Sequence, residues 1–209
     1  MKELVSKQFV KKFLKKRNPN STKGQNGKVT IIGGSNDLVG APALAALSAL
    51  AVLRGGSDLV TVIAPEKCGF AINALCADII VKKVKGEFFS KNHTSKVLKE
   101  CEKSNCTLIG PGLGLNLATQ KFVQQVAQKI KQPLVIDADA IKALKGKTFS
   151  HNCIITPHLK EAEIFCSKKI TNRKTAAKEI AKKYKCIVLL KGPIDFISDG
   201  KSVFYNKTG

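Results

Sequence analysis

Thr107-Leu-Ile-Gly-Pro-Gly-Leu-Gly114 is the stretch that decides the fold, because it joins two kinds of periodicity. It starts as a short apolar, β-branched run, and residues 117–131 that follow it carry apolar side chains at helical spacing. Glycines between a strand and a helix let backbone N–H groups approach a phosphate at the positive helix end. The spacing is neither Gly-x-Gly-x-x-Gly nor a P-loop, so a tight strand-to-helix turn explains the glycines equally well.

The same alternation of strand and helix recurs along the chain. Further strand-like runs are Lys28–Ile32 and residues 58–64, 77–84, 133–136, 152–155 and 186–190. Helical periodicity is found in residues 41–54, 90–103, 158–166 and 173–185. This rhythm predicts one α/β domain with three layers, in which a mainly parallel central sheet has helices on both faces. Residues 195–205, around Asp199-Gly200, predict a C-terminal hairpin.

Composition excludes several classes of protein. The chain has 209 residues, 44% of them hydrophobic, which suits a globular protein rather than a disordered one. Its most apolar stretch, residues 41–53, is too short to cross a membrane. Lys plus Arg number 36 against 15 for Asp plus Glu, a formal charge of +21. Because only three of the basic residues are Arg and Trp is absent, we do not expect nucleic acid as a partner, although binding of another polyanion stays open.

The cysteines and the N-terminus point to the cytoplasm. Seven cysteines without a Cys-x-x-Cys pair are typical of free thiols in a reducing compartment. Residues 1–17 alternate Lys with apolar residues at helical spacing, and no signal peptide is recognisable. We therefore divide the chain into a basic N-terminal helix and linker, residues 1–23, and a domain of residues 24–209.

Polar residues follow several strands of the predicted sheet. Asp137 and Asp139 flank Ala138 behind one strand. Asp137 could hold a hydrated Mg²⁺ through a water molecule rather than as a direct ligand. We expect Asp139 to cap a helix starting at Ala140. Ligands of open parallel sheets lie beyond the carboxyl ends of the strands. Such residues are therefore candidates for a binding site.

Two further strands end in polar residues. Thr156 could cap a helix with Pro157 in its first turn, and His158 behind them could donate to a substrate carbonyl or hydroxyl or be structural. Lys191-Gly192 offers a cation and a flexible backbone to an anionic ligand. The Ala-rich segment from Gly40-Ala41-Pro42 either approaches a ligand or packs in the core.

Six segments, in this order, carry a family resemblance. They are Gly27-Lys-Val-Thr-Ile-Ile-Gly-Gly-Ser35, Gly40-Ala-Pro-Ala-Leu-Ala-Ala46, Ile109-Gly-Pro-Gly-Leu-Gly114, Val135-Ile-Asp-Ala-Asp-Ala140, Ile155-Thr-Pro-His-Leu-Lys-Glu161 and Leu189-Leu-Lys-Gly-Pro-Ile-Asp195. With Asp199-Gly200 and Asn206-x-Thr-Gly209 they resemble the ADP/ATP-dependent NAD(P)H-hydrate dehydratases, a branch of the ribokinase-like fold.

The resemblance implies a hydro-lyase that repairs the S epimer of hydrated NADH and NADPH with ADP or ATP and Mg²⁺. The ring hydroxyl is phosphorylated, and phosphate then leaves to regenerate the double bond. Ala41, Gly112 and His158 would bind the hydrated dinucleotide, Gly110 and Gly114 would shape a phosphate-facing loop, and the adenine nucleotide would lie on Lys191, Gly192, Pro193, Ile194 and Asp195. It also implies a homotetramer and an NAD(P)H-hydrate epimerase acting in the same pathway, here expected to be a separate protein.

The sequence departs from the family pattern in places. Leu38 stands where the family often has Tyr, and Asp195 where it often has Thr. Family members continue into Gly-Gly-Thr-Gly-Asp, whose glycines form an anion hole and whose Asp is the proposed base, and these residues are not among the 209. We therefore expect an incomplete catalytic centre and an inactive lone chain. A ribokinase-like kinase of a vitamin precursor or sugar, and a non-enzymatic nucleotide or polyanion binder, are the alternatives.

Overall fold

β-branched and leucine-rich runs form a ten-stranded sheet in the computed structural model, which describes residues 2–13, 18–38, 40, 41, 44, 56–75, 77–149 and 152–208. The strands are β1 Lys2–Leu4, β2 Lys28–Ile32, β3 Leu59–Pro65, β4 Ile80–Val84, β5 Cys106–Ile109, β6 Leu134–Ile136, β7 Cys153–Ile155, β8 Ile187–Leu190, β9 Asp195–Ser198 and β10 Val203–Asn206. Their order is β1-β10-β9-β8-β7-β6-β5-β2-β3-β4. Strands β2 to β8 pair in parallel, and β9 and β10 form the antiparallel hairpin.

Helices cover the sheet and connect its strands. They are α1 Lys7–Lys11, α2 Glu66–Leu75, α3 Thr94–Cys101 after a 3₁₀ turn at Lys91–His93, α4 Leu117–Lys129, α5 Ala138–Ala143, α6 Leu159–Cys166 and α7 Arg173–Tyr184. Within the described ranges no helix has the length and apolar character needed to cross a bilayer. The predicted α/β class with a mainly parallel sheet and a C-terminal hairpin is confirmed.

Apolar side chains form two core clusters because successive residues of a strand face opposite sides of the sheet. Ile32 belongs to the larger cluster, where Phe89 and Phe122 stack with ring centroids 4.7 Å apart. Its neighbour Ile31 belongs to a smaller cluster with Ile72 of α2. Helices therefore pack on both faces, as the sequence predicts.

The N-terminal segment and two helices differ from the sequence predictions. Where the apolar stripe predicts one helix, Lys2–Leu4 pairs in parallel with β10, and α1 has only five residues. The reason is long-range: the N–H of Val5 donates to the carbonyl of Tyr205 at 3.0 Å, beside the otherwise free edge of β10. Helix α2 was not predicted, and α5 starts at Ala138 rather than Ala140.

Other predictions fall partly outside the described residues. Residues 40, 41 and 44 are helical, and the rest of the helix predicted for 41–54 lies in undescribed positions. The division at residue 24 stays a prediction. Six cysteines fall within the described residues, and each is a free thiol. Burial raises the pKa of several, that of Cys101 to about 11.

Candidate active site

The loops after β2, β5, β6, β7 and β8 lie at one edge of the sheet, here called the carboxyl edge, because these strands are parallel neighbours. Backbone hydrogen bonds join the loops in pairs. The N–H of Gly34 donates to the carbonyl of Pro111 at 2.8 Å, and the N–H of Lys191 donates to the carbonyl of Pro157 at 2.8 Å. The polar residues that the sequence places behind different strands are thus brought together.

Gly110 begins the glycine loop, residues 110–114, and has a backbone that only glycine can adopt there. Its φ is +142°, and a Cβ on it would lie 1.7 Å from the carbonyl oxygen of Asp137. Gly112 and Gly114 also have positive φ, of 65° and 73°. The tight-turn interpretation therefore accounts fully for Gly110, and a phosphate-facing role of this loop stays a prediction.

Asp139 anchors the far end of the glycine loop and does not cap a helix. Its Oδ2 accepts from the N–H of Gly114 at 3.0 Å, and its Oδ1 pairs with Lys142 at 2.9 Å. Helix α5 has Asp137 as its N-cap residue, without a capping bond from the side chain. The expectation that Asp139 caps a helix starting at Ala140 is therefore wrong, because the helix begins two residues earlier.

Asp137, Thr156 and Lys191 form a polar cluster across three adjacent strand ends. Oδ1 of Asp137 accepts from the Thr156 hydroxyl at 2.8 Å and from Nζ of Lys191 at 2.8 Å. The side chains of Lys191 and Asp137 are 41% and 29% exposed, so the ion pair is open to a ligand. An ammonium has three N–H donors, and Lys191 uses one of them for its hydrogen bond to Asp137. Lys191 can therefore also donate to an anion.

His158, rather than Thr156 as the sequence predicts, caps α6. Nδ1 of His158 accepts from the N–H of Glu161 at 3.4 Å, and Glu161 Oε2 accepts from the N–H of His158 at 3.0 Å. This reciprocal pair is a capping box, and it places Pro157 before the helix. An imidazole that accepts at Nδ1 carries a proton at Nε2, which lies 3.5 Å from Oε1 of Glu161. The ring is half-exposed, so a ligand that reaches Nε2 would compete with Glu161 for this N–H.

The segment Lys191–Asp195, here called the nucleotide loop after its predicted ligand, turns the chain from β8 into β9. Asp195 closes it, because its Oδ1 accepts from the N–H of Gly192 at 3.0 Å. Sequence reasoning missed Arg173, whose guanidinium packs against this loop. Its rarity was the available signal, since the chain has only three arginines among 36 basic residues.

Ala41 and Asp137 are predicted to meet ligands, and the structure adds one observation on each. Ala41 is helical and exposed. The loop that leads to it adjoins the glycine loop, since Ser35 Oγ lies 4.0 Å from where a Cβ on Gly114 would be.

Among the described residues no three His, Cys, Asp or Glu side chains converge as metal ligands. One carboxylate fits a hydrated Mg²⁺ held mainly by phosphates.

Comparisons with known proteins agree on one family. The family model described as NAD(P)H-hydrate dehydratase matches residues 29–209. A bifunctional NAD(P)H-hydrate repair enzyme of Pyrobaculum aerophilum is 38% identical over 199 residues, covering 92% of this chain and 39% of its own length. The chain thus spans about two fifths of such relatives.

Two further proteins match nearly the whole chain. The ADP-dependent (S)-NAD(P)H-hydrate dehydratase of Cenarchaeum symbiosum is 30% identical, with 99% of this chain and 73% of that protein covered. The fold matches that of the Bacillus subtilis ADP/ATP-dependent NAD(P)H-hydrate dehydratase co-crystallised with ATP/Mg²⁺, at a TM-score of 0.79 and 23% identity, covering 99% of this chain and 73% of that one.

Proposed function

Because the chain belongs to the NAD(P)H-hydrate dehydratase family, we propose that it serves the dehydration of the S epimer of hydrated NADH and NADPH at the expense of ADP or ATP. With ADP the reaction balances as hydrated NADH plus ADP giving NADH, AMP and phosphate. Phosphorylation turns the ring hydroxyl into a good leaving group, and loss of phosphate restores the double bond.

The observation that carries the proposal is the polar cluster of Asp137, Thr156 and Lys191 beside two loops. On one side of it is the glycine loop, whose Gly110 would collide with the Asp137 carbonyl if it had a side chain. On the other side is His158, whose strand bridge to Lys191 places the two residues next to each other. A cation, an imidazole and close-approaching backbone at one edge suit two anionic dinucleotide-type ligands bound side by side.

Lys191 is the residue that we assign to the phosphates of the adenine nucleotide. Its ammonium is fixed by Asp137, which is itself held by Thr156, so its position is set before a ligand arrives. A cation positioned in advance stabilises charge on a transferring phosphoryl group without reorganising. Mg²⁺, when bound, would offset further phosphate charge. Asp137 is the carboxylate available to it through water.

Ala41, Gly112 and His158 are assigned to the hydrated dinucleotide, and His158 would donate from Nε2 to an oxygen of the nicotinamide end. The capping box with Glu161 holds the ring at the start of α6. Gly110 and Gly114 would shape the phosphate-facing backbone. Gly192, Pro193, Ile194 and Asp195 would line the adenine nucleotide with Lys191.

Partners and location complete the proposal. Free thiols among the described residues fit a cytoplasmic protein. We also propose a homotetramer and an NAD(P)H-hydrate epimerase in the same pathway, which interconverts the two hydrate stereoisomers. Light scattering in solution tests the tetramer, and calorimetry with each purified epimer, of which only the S epimer should bind, tests the need for an epimerase.

The experiment that tests the function measures binding of ADP and of hydrated NADH separately by calorimetry. We expect saturable binding of both, and at least about tenfold weaker ADP binding in Lys191→Ala, because a charge-assisted hydrogen bond is lost. Lys131→Ala is the matched control, an exposed lysine between α4 and β6, away from the carboxyl edge. Release of AMP from ADP on addition of hydrated NADH is a separate measurement, because a chain that binds both ligands but is inactive alone releases no AMP.

Other outcomes would point to the alternatives. If the chain bound the adenine nucleotide but did not bind hydrated NADH, this result would favour a vitamin-precursor or sugar kinase. Tight RNA binding that falls steeply with salt, with no specific ADP binding, would favour a polyanion binder. An equal loss in Lys131→Ala and Lys191→Ala would contradict the assignment of Lys191.

A further inference from the structure

Arg173 holds the nucleotide loop at its beginning. It is the first residue of α7, behind the N-cap Asn172, whose side chain accepts from the N–H of Thr175. One terminal nitrogen of its guanidinium donates to the carbonyl of Leu190 at 3.2 Å. Leu190 is the last residue of β8 and immediately precedes Lys191, so this bond fixes the strand end from which the loop departs.

The same guanidinium occupies the space that a side chain at position 192 would need. A Cβ on Gly192 would lie 2.2 Å from one terminal nitrogen of Arg173 and 2.5 Å from its Cζ. All three nearest atoms belong to the guanidinium, so the group lies directly against the Gly192 backbone. Gly192 is thus required by the arginine behind it, which differs from the role as flexible backbone that the sequence suggested.

Arg173 also contacts the residue after the loop. Its Cζ lies 5.6 Å from the ring centroid of Phe196, a cation–π distance. Nε of Arg173 is buried and has no hydrogen-bond partner among the residues that the structure describes, which is an unfavourable arrangement for a donor. One planar group therefore touches the residue before the loop, the loop itself and the residue after it.

We infer that Arg173 is a positioning residue for the nucleotide loop, which aims Lys191 and the Gly192 backbone at the phosphates of the adenine nucleotide; this rests on the proposed function. Lysine can replace it only in part, because an ammonium keeps the charge but lacks the flat face that packs on Gly192 and Phe196. The assignment separates two cations at this edge: Lys191 donates to the ligand, and Arg173 acts through the loop.

The test compares Arg173→Ala and Arg173→Lys with Lys178→Ala, which removes the same charge from an exposed position of the same helix. We expect the Kd for ADP to rise about tenfold in Arg173→Ala. Arg173→Lys should recover only part of this, and Lys178→Ala should match the wild type. The Kd for hydrated NADH should stay unchanged, which a general loss of structure would not allow.

A double-variant cycle with Gly192→Ala tests the contact itself. The added methyl group should displace the guanidinium, so Gly192→Ala and Arg173→Ala should weaken ADP binding to a similar extent, and the double variant should be no weaker than either. Additive losses would overturn the inference. In hydrogen exchange without ligand, the backbone amides of residues 191, 192 and 194–196 should exchange faster in Arg173→Ala than in Lys178→Ala.

The failures of the two proposals are distinguishable. If the wild type binds ADP and Arg173→Ala binds it equally well, the inference on Arg173 is wrong while the proposed function stands. If the wild type binds neither ADP nor ATP, the proposed function is wrong. Equal exchange of the backbone amides of residues 191, 192 and 194–196 in the wild type and Arg173→Ala would overturn the positioning role independently of any ligand.

Discussion

Gly110→Ala should destabilise the protein far more than Gly114→Ala, although both glycines belong to the same loop and both have positive φ. At Gly110 the new Cβ would lie 1.7 Å from the Asp137 carbonyl oxygen, a backbone atom that cannot rotate away. At Gly114 the nearest atom to a Cβ is Ser35 Oγ at 4.0 Å. The second change therefore carries conformational strain only, and serves as the matched control.

The magnitude for Gly110→Ala follows from strain and lost hydrogen bonds. A φ of +142° costs a residue with Cβ about 1–3 kcal/mol. Separating the two loops also strains the bonds from Gly110 N–H to Ile32 at 3.1 Å and from Asp137 N–H to Ile109 at 3.0 Å, each worth about 1 kcal/mol. We expect a loss of about 3–5 kcal/mol in the free energy of unfolding, against about 1 kcal/mol for Gly114→Ala.

Urea denaturation followed by circular dichroism measures both variants. For a domain of this size each kcal/mol lowers Tm by about 2–4 °C, so thermal melts should show a decrease of roughly 10 °C for Gly110→Ala and about 3 °C for Gly114→Ala. If the free energy of unfolding of Gly110→Ala lies within about 1 kcal/mol of the wild-type value, the close approach of the two loops is wrong.

The remaining predictions concern a cap and a buried thiol. His158→Ala should lower the free energy of unfolding by about 1 kcal/mol through loss of the cap. His158→Asn should retain the cap and the stability but bind hydrated NADH more weakly than the wild type, and wild-type affinity in His158→Asn would refute an imidazole donor. Burial raises the pKa of Cys101 from 9.0 to about 11. The protonated thiol stabilises the fold fully below pH 9, and this is lost as the unfolded thiol ionises, at about 1.4 kcal/mol per pH unit up to pH 11. The stability advantage of the wild type over Cys101→Ala, measured by urea unfolding, should therefore shrink between pH 9 and 11, and a constant advantage would contradict the burial.

Local patterns predicted most strands and most helices, because apolar periodicity is a property of near neighbours in the sequence. Strand Lys28–Ile32 was predicted to the residue because its run of β-branched side chains stops at two glycines. Helix α2 was not predicted because Gly69 and Asn73 have low helix propensity. Packing of Ile72 against the sheet stabilises this helix. β1 was missed because its hydrogen-bond partners lie about 200 residues away in the sequence.

Parts of the site were predictable for the same reason and parts were not. Parallel strands bring their carboxyl ends to one edge, so Asp137, His158 and Lys191 could be placed together from the order of elements. Which groups touch was not predictable. The sequence suggested a cap at Thr156, and the structure has His158 in that role while Thr156 donates to Asp137.

The amino-acid sequence by itself determined the α/β class, the mainly parallel sheet and the edge at which the candidate binding residues lie, because apolar periodicity and glycine positions act over a few residues. Only the tertiary structure decided that Asp137 holds Lys191, that Gly110 faces a carbonyl and that Arg173 lies behind Gly192. Those contacts join residues from separate strands and helices, and their distances depend on how the sheet and helices pack rather than on any local pattern.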